Sequence, residues 1–106
     1  MRRGEVWWAE LARPIGKRPV LLLSRDTAYS VRTSVTVAII TRTIRDIPVE
    51  VTLSPDEGLP AKCVVNLDEI ITIPKSRLAE RITILTAVKM AEVNQAISFA
   101  LDLGLG

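Results

Sequence analysis

The chain has 106 residues, 48% of them hydrophobic and 25% charged, proportions that exclude a disordered tail, a fibrous repeat and a pair of independently stable domains. Its apolar runs, such as Val20–Leu23 and Val37–Ile40, fall far short of the roughly 18 residues that cross a bilayer, so no membrane span is expected. The net charge of +2 hides a split: residues 1–45 hold nine Lys/Arg against three Asp/Glu, and residues 46–106 hold five against nine.

Gly4–Leu11 is rich in aromatic and β-compatible residues and runs into Arg13-Pro14-Ile15-Gly16, so it reads as a first strand. Pro19–Leu23 is continuously apolar, the pattern of a central strand covered on both faces. Ser24–Thr33 loses periodicity, with Asp26 placed to cap a short helical turn. Ser34–Thr41 is dominated by β-branched residues and forms the next strand. Val49, Val51 and Leu53 alternate with Glu50 and Thr52, which predicts a strand with one wet face, and Pro55-Asp56-Glu57-Gly58 makes a turn after it.

Lys62–Asn66 and Glu69–Ile73 read as two short strands of a hairpin turning at Leu67 and Asp68. Ser76–Leu78 suits a brief helix and Ile82–Leu85 a last short strand. From Thr86, an expected N-cap, the residues Met90, Val93, Ile97, Ala100 and Leu101 recur at helical spacing, and Gly104 supplies the expected stop. The predicted architecture is mainly β with α: one domain over residues 1–106, a small partial barrel of short antiparallel strands with a C-terminal helix packed on it.

The chain has no histidine and a single cysteine, Cys63, which removes Ser-His and Cys-His pairs, most zinc sites and any intrachain disulfide. The basic start, Met1-Arg2-Arg3, is followed by no apolar segment that a secretory signal needs. Both features lead us to expect a cytoplasmic protein. The acids Asp68 and Glu69 stand without a spaced acidic cluster, and the glycines are scattered, so neither a metal nor a nucleotide cofactor is expected.

What remains is polar groups delivered by strand ends. Lys17 and Arg18 precede the buried segment PVLLL, and Pro19 restricts Arg18 to extended geometry. Thr41 ends SVTVAIIT and is followed by Arg42, Thr43, Ile44 and Arg45. Guanidinium groups match phosphate bidentately, so both strand ends are candidate anion sites. The alternative is that Arg18 and Arg45 are surface residues in weak ion pairs and that Thr41 simply suits a strand. Likewise, either the basic half builds one phosphate-attracting face or the charges interleave on folding. Trp7 and Trp8, being adjacent, face opposite ways in a strand, so at least one is expected in the core. Phe99 falls off the apolar stripe of the helix, either for a subunit contact or for local packing.

Taken in order, GEVWWAEL, RPVLLLSRD, VTVAIITRTIR, GL with CVVNLDEI, ITIPKSRL, RITIL and a terminal helix resemble the MazF/PemK toxin family over nearly the whole chain. The resemblance implies an SH3-like barrel with helices, a homodimer, and sequence-selective, metal-independent cleavage of single-stranded RNA that a cognate antitoxin inhibits. An acidic antitoxin tail, disordered until bound, is expected to cover the basic groove. In the family the Arg of the RPVL segment and the Thr of the AxIT segment carry catalysis, and the matching residues here are Arg18 and Thr41. Lys17, Arg25, Thr43 and Arg45 are then expected to hold phosphates, and Asn66 and Glu69 to meet base edges. The segment between Leu11 and Arg18 is shorter than in many members. Two alternatives share the fold: a gyrase-binding toxin of the CcdB type, whose Trp-Gly-Ile end is replaced here by Leu103-Gly104-Leu105-Gly106, and a non-catalytic RNA-binding barrel.

Overall fold

Alternating apolar residues and strong turn signals fold the chain into one antiparallel sheet closed over by a helix. The structure, a computed structural model, describes residues 1–104; Leu105 and Gly106, part of the tail compared with the gyrase-binding tripeptide, lie outside the described residues. The strands are β1 (Glu5–Glu10), β2 (Lys17–Leu22), β3 (Ser34–Thr41), β4 (Glu50–Leu53), β5 (Cys63–Pro74) and β6 (Leu78–Ile84). They lie in the order β4-β5-β3-β2-β1-β6, and the curled sheet forms the half-barrel that the sequence predicts. Two helices accompany them, the single turn α1 (Ala28–Val31) and the C-terminal α2 (Ala87–Ala100). No helix among the described residues is long and apolar enough to cross a membrane.

Strand β2 sits between β1 and β3, which explains its unbroken apolar run. Leu21 and Leu23 join the main core with Val6, Ala38 and Ile40, where Val93 and Ala96 of α2 close it. Val20 and Leu22 point the other way, into a second cluster with Ala9, Val35, Val37 and Tyr29. Successive strand residues alternate between faces, so a segment that serves two cores can carry no polar residue.

The expected hairpin within residues 62–73 is corrected to a single strand. Both halves of β5 pair with β3: Val64–Asn66 lies against Ile39–Thr41, and Ile70–Pro74 against Ser34–Ala38. Halves that share a partner cannot pair with each other. The residues between them bulge out of the ladder, Leu67 filling the main core at 1% exposure. Asn66 fastens the bulge, its Nδ2 donating to Glu69 Oε1 at 3.1 Å and its Oδ1 accepting from the Asp68 amide at 3.0 Å.

Three smaller expectations also change. Asp26 does not cap α1; its Oδ1 accepts from the backbone amide of Arg3 at 2.7 Å, and Thr27 occupies the cap position without a side-chain bond. The brief helix expected at Ser76–Leu78 is a single 3-10 turn at Lys75–Arg77, after which β6 begins four residues earlier than the predicted strand at Ile82. Helix α2 starts as predicted, with Thr86 Oγ1 accepting from the Lys89 amide at 3.1 Å, yet it ends before Gly104. Asp102 takes the left-handed conformation (φ 52°), and the amides of Asp102 and Leu103 return to the carbonyls of Phe99 and Ser98, a Schellman closure built on Asp rather than Gly.

Candidate functional site

The ends of three neighbouring strands enclose a groove of about 450 Å³. Lys17, Arg18 and Pro19 open β2, Ile40 and Thr41 close β3, and Cys63 begins β5; Trp8 of β1 completes the strand contribution. Arg42 and Thr43 follow β3 along the wall, and Leu59, Pro60 and Ala61 supply the loop before β5.

Register explains why Arg18 and Thr41 meet here. The β2–β3 ladder pairs Val20 with Ile39, Leu21 with Ala38 and Leu22 with Val37. Pro19 has no N–H to extend the ladder, but the same register carried two residues further sets Arg18 opposite Thr41. Opposed residues project to the same face of a sheet. Residues 23 positions apart in sequence thus converge at one end of two adjacent strands.

The segments around the groove are tied by specific contacts. Between β1 and β2 the Leu11 amide donates to the Gly16 carbonyl at 3.0 Å, a tight closure that brings Ile15 to the groove. Beyond β3, Thr41 Oγ1 accepts from the Thr43 amide at 3.2 Å, which leaves the hydroxyl hydrogen of Thr41 free to donate. Glu50 Oε1 accepts from the amides of Arg45 and Asp46, both at 2.9 Å, and so shapes the loop that leaves the groove. Just before the lining loop at Leu59–Ala61, Ser54 and Glu57 form a capping box, and Gly58 follows in a left-handed conformation (φ 95°). A Cβ at Gly58 would lie 3.1 Å from the side chain of Thr83, so both backbone and space call for glycine.

The electrostatics are one-sided. Among the described residues three cations, Lys17, Arg18 and Arg42, line the groove, and no carboxylate does. Among the described residues none of the three forms a salt bridge, nor does Arg45, so the surface ion pairs considered for Arg18 and Arg45 are not formed. All three groove cations come from the basic first 45 residues. At the base of the groove Cys63 is 5% exposed; burial pushes its thiol pKa up, the charge of Arg42 opposes that rise and Glu57 adds to it. Such a thiol stays protonated at neutral pH and is a poor nucleophile. Among the described residues no three His, Cys, Asp or Glu side chains gather as a metal site would require.

Of the predicted site residues, Lys17, Arg18, Thr41 and Thr43 are brought together. Arg25 and Arg45 are exposed outside this lining. Asn66 and Glu69 are also outside it: Asn66 is 3% exposed and both ends of its amide are spent on the β5 bulge. Glu69 is exposed, and the two residues stand apart from the groove that holds Arg18 and Thr41. The sequence places Arg42 at the same strand end as Thr41, but sequence reasoning gave it no phosphate-binding role of its own. It also left open which tryptophan is core. Trp7 packs against the second cluster and donates its Nε1–H to Glu5 at 2.9 Å, whereas Trp8 faces the groove.

A family model described as "PemK-like, MazF-like toxin of type II toxin-antitoxin system" matches residues 2–101. The chain belongs to this family. Among relatives of this PemK/MazF-like chain, the probable endoribonuclease MazF5 of Mycobacterium tuberculosis is 40% identical over 94% of the chain and 92% of its own length. Endoribonuclease MazF of Staphylococcus saprophyticus is 38% identical over 97% and 92%. Among solved structures, Mycobacterium tuberculosis toxin MazF-mt6 superposes with a TM-score of 0.86 at 36% identity, covering 92% of this chain and 96% of that one. An endoribonuclease in complex with its cognate antitoxin, from a mycobacterial species, superposes with a TM-score of 0.85 at 30% identity, covering 100% and 97%. These matches agree with the MazF/PemK-like half-barrel, and they rank a nuclease above a CcdB-type gyrase binder.

Proposed function

We propose that this chain is an endoribonuclease toxin that cuts single-stranded RNA at selected sequences without a metal, acting as one domain over residues 1–106. The observation that carries the reading is the convergence of Arg18 and Thr41 in a groove that, among the described residues, has three cations without salt bridges and no carboxylate, in a chain whose relatives are named endoribonucleases. Such a lining attracts a polyanion and gives little to a cationic or apolar ligand.

RNA carries its own nucleophile. The 2′-oxygen forms a bond to the adjacent phosphorus, the bond from phosphorus to the 5′-oxygen breaks, and the products end in a 2′,3′-cyclic phosphate and a 5′-hydroxyl. The proton of the 2′-hydroxyl passes to water, and the departing 5′-oxygen takes one from water. DNA lacks the attacking oxygen and is left intact. The protein's task is to hold the strand in line and to neutralise the charge that builds on the phosphorane oxygens. Arg18 suits that task because its planar fork can bond two of those oxygens at once. Thr41 donates its free O–H to the phosphate. A guanidinium is a weak acid, so electrostatic positioning, rather than proton donation by Arg18, is the main contribution. Lys17, Arg42 and Thr43 hold neighbouring phosphates. A homodimer is the working assembly, and a cognate antitoxin with an acidic tail blocks the groove by occupancy.

The test is incubation of purified protein with mixed single-stranded RNA in EDTA, with chemical mapping of the new ends, beside Arg18→Ala as the control for contaminating ribonuclease. Cyclic phosphate ends at recurrent sequences are expected, with a loss of about 10²–10³-fold in Arg18→Ala. Intact RNA at high enzyme concentration refutes cleavage. Wild-type rates in Arg18→Lys refute the requirement for a planar fork.

A further inference from the structure

Proteins that bind single-stranded RNA commonly stack its splayed bases on aromatic faces. This chain has four aromatic side chains, and three are committed elsewhere. Trp7 packs against the second core cluster and bonds Glu5. Tyr29 is buried in that same cluster. Phe99, though 63% exposed, stands on α2, which contributes nothing to the groove lining. Trp8 differs from all three: it belongs to neither cluster, is half-buried, and lines the groove.

Its neighbours fix it in place. In the β1–β2 ladder Trp8 lies directly opposite Pro19, one residue from Arg18, so the indole is carried by a strand pair rather than by a loop. Lys17 Nζ stands 5.2 Å from the centroid of the ring, within the range where an ammonium is attracted to an aromatic face. The ammonium therefore lies over one face of the aromatic plate, next to the proposed phosphate ligand, so that a base would stack on the other face.

We propose that Trp8 is the base platform of the groove: a nucleobase of the RNA stacks on the indole, and Lys17 takes the phosphate beside that base. This rests on the reading of the groove as an RNA site, but it concerns how the strand is held and not how it is cut. Every base has a π-face, so stacking adds affinity and sets the position of the strand without naming a base. Trp8 is thus a binding and positioning residue, and Arg18 acts on the phosphate that the stacked base brings into line.

The main experiment uses a short RNA spanning a mapped cut site, with a 2′-deoxy nucleotide at the attacking position so that it binds without being cut. Each base is removed in turn to leave an abasic sugar, and binding is measured for wild type, Trp8→Leu and Trp8→Phe. Loss of the stacked base, or Trp8→Leu, is expected to weaken binding about 5- to 100-fold. The two together lose no more than either alone, because they remove the same contact. Trp8→Phe, which keeps an aromatic face, restores most of the affinity. Losses that multiply, or a Trp8→Leu protein that binds as wild type does, overturn the proposal.

A second measurement needs no variant and no cleavage. Tryptophan emission of the wild-type protein is titrated with a mixed-sequence 2′-O-methyl RNA of about ten nucleotides, in the usual range of single-strand site sizes, and with the same backbone stripped of bases. Quenching by the base-bearing strand alone supports stacking. Equal quenching by both strands, or none by either, overturns it. Failure of wild type to cut unmodified RNA strikes the cleavage reading and leaves this second result standing.

Discussion

Glu5→Gln is the sharpest test of how the β1–β6 edge is held. Glu5 is 5% exposed; its Oε1 accepts the Trp7 Nε1–H at 2.9 Å, and its Oε2 lies 3.8 Å from Arg81 of β6. Burial by itself raises the carboxyl pKa. The Trp7 bond, a backbone hydrogen bond at Arg2, and the charges of the N-terminus and Arg81 outweigh it and hold the group below its ordinary 4.5. The fold therefore prefers the carboxylate to the acid despite burial, and a neutral isostere must destabilise. A hydrogen bond to a charged group contributes about 1.5–3 kcal/mol against about 0.5–1.5 for a neutral one. The Arg81 pair, with its guanidinium half exposed to solvent, adds about 0–1 kcal/mol.

The expected cost at pH 7 is thus about 1–2 kcal/mol, or roughly 4–8 °C in Tm for each kcal/mol in a domain near this size. The sign with pH follows from the depressed pKa. The stabilisation is complete above the unfolded carboxyl value and is lost as pH falls through the lower folded value. The difference between wild type and Glu5→Gln should therefore close in acid. Thermal unfolding followed by circular dichroism at neutral pH and at two acidic values measures it. Equal stability at pH 7, or a difference that widens in acid, refutes the reasoning.

Two predictions concern the groove. Arg42→Ala should weaken RNA binding at every sequence alike and flatten the slope of log affinity against log salt by about 0.7, the share of one phosphate contact on a single strand; an unchanged slope removes Arg42 from the phosphate ligands. The pH dependence of cleavage should rise from acid to neutral pH without the bell shape that a paired protein acid and base produce, since the chain has no histidine and, among the described residues, no carboxylate lines the groove. A bell with both limbs below about pH 8 would require a titrating catalytic side chain and would contradict the assignment of proton transfer to water.

Much of the sheet was legible because its signals are local. PVLLL announces a strand buried on both faces, and SVTVAIIT matches β3 residue for residue. The hairpin misreading within residues 62–73 has a physical cause. Leu67 is apolar and flanked by Asn66 and Asp68, which is what a tight turn and a core-filling bulge both look like in one dimension. Only the pairing partner distinguishes them, and β3 lies more than twenty residues away. The end of α2 failed for a related reason: Gly is the usual left-handed cap, but an exposed Asp at residue 102 can take that conformation, and sequence preference gives no order between them.

The site divides along the same line. Arg18 and Thr41 were nameable because each sits at the end of a strongly marked strand, yet their meeting depends on the β2–β3 register, which no local pattern states. Asn66 and Glu69 illustrate the converse. A polar pair close in sequence looks available for recognition, but here the two residues bond each other and a bulge amide, and Asn66 is buried. Trp8 shows why exposure decides function more than residue type. Two identical side chains stand side by side in β1; the alternation of a strand sends Trp7 against a core cluster and a buried carboxylate, and Trp8 into a cationic groove. The same six-residue strand therefore supplies a structural anchor on one face and the platform for a base on the other. A change in the β1–β2 register by one residue would exchange those roles, and for that reason the turn closed by Leu11 and Gly16 is as much a determinant of the site as the residues that line it.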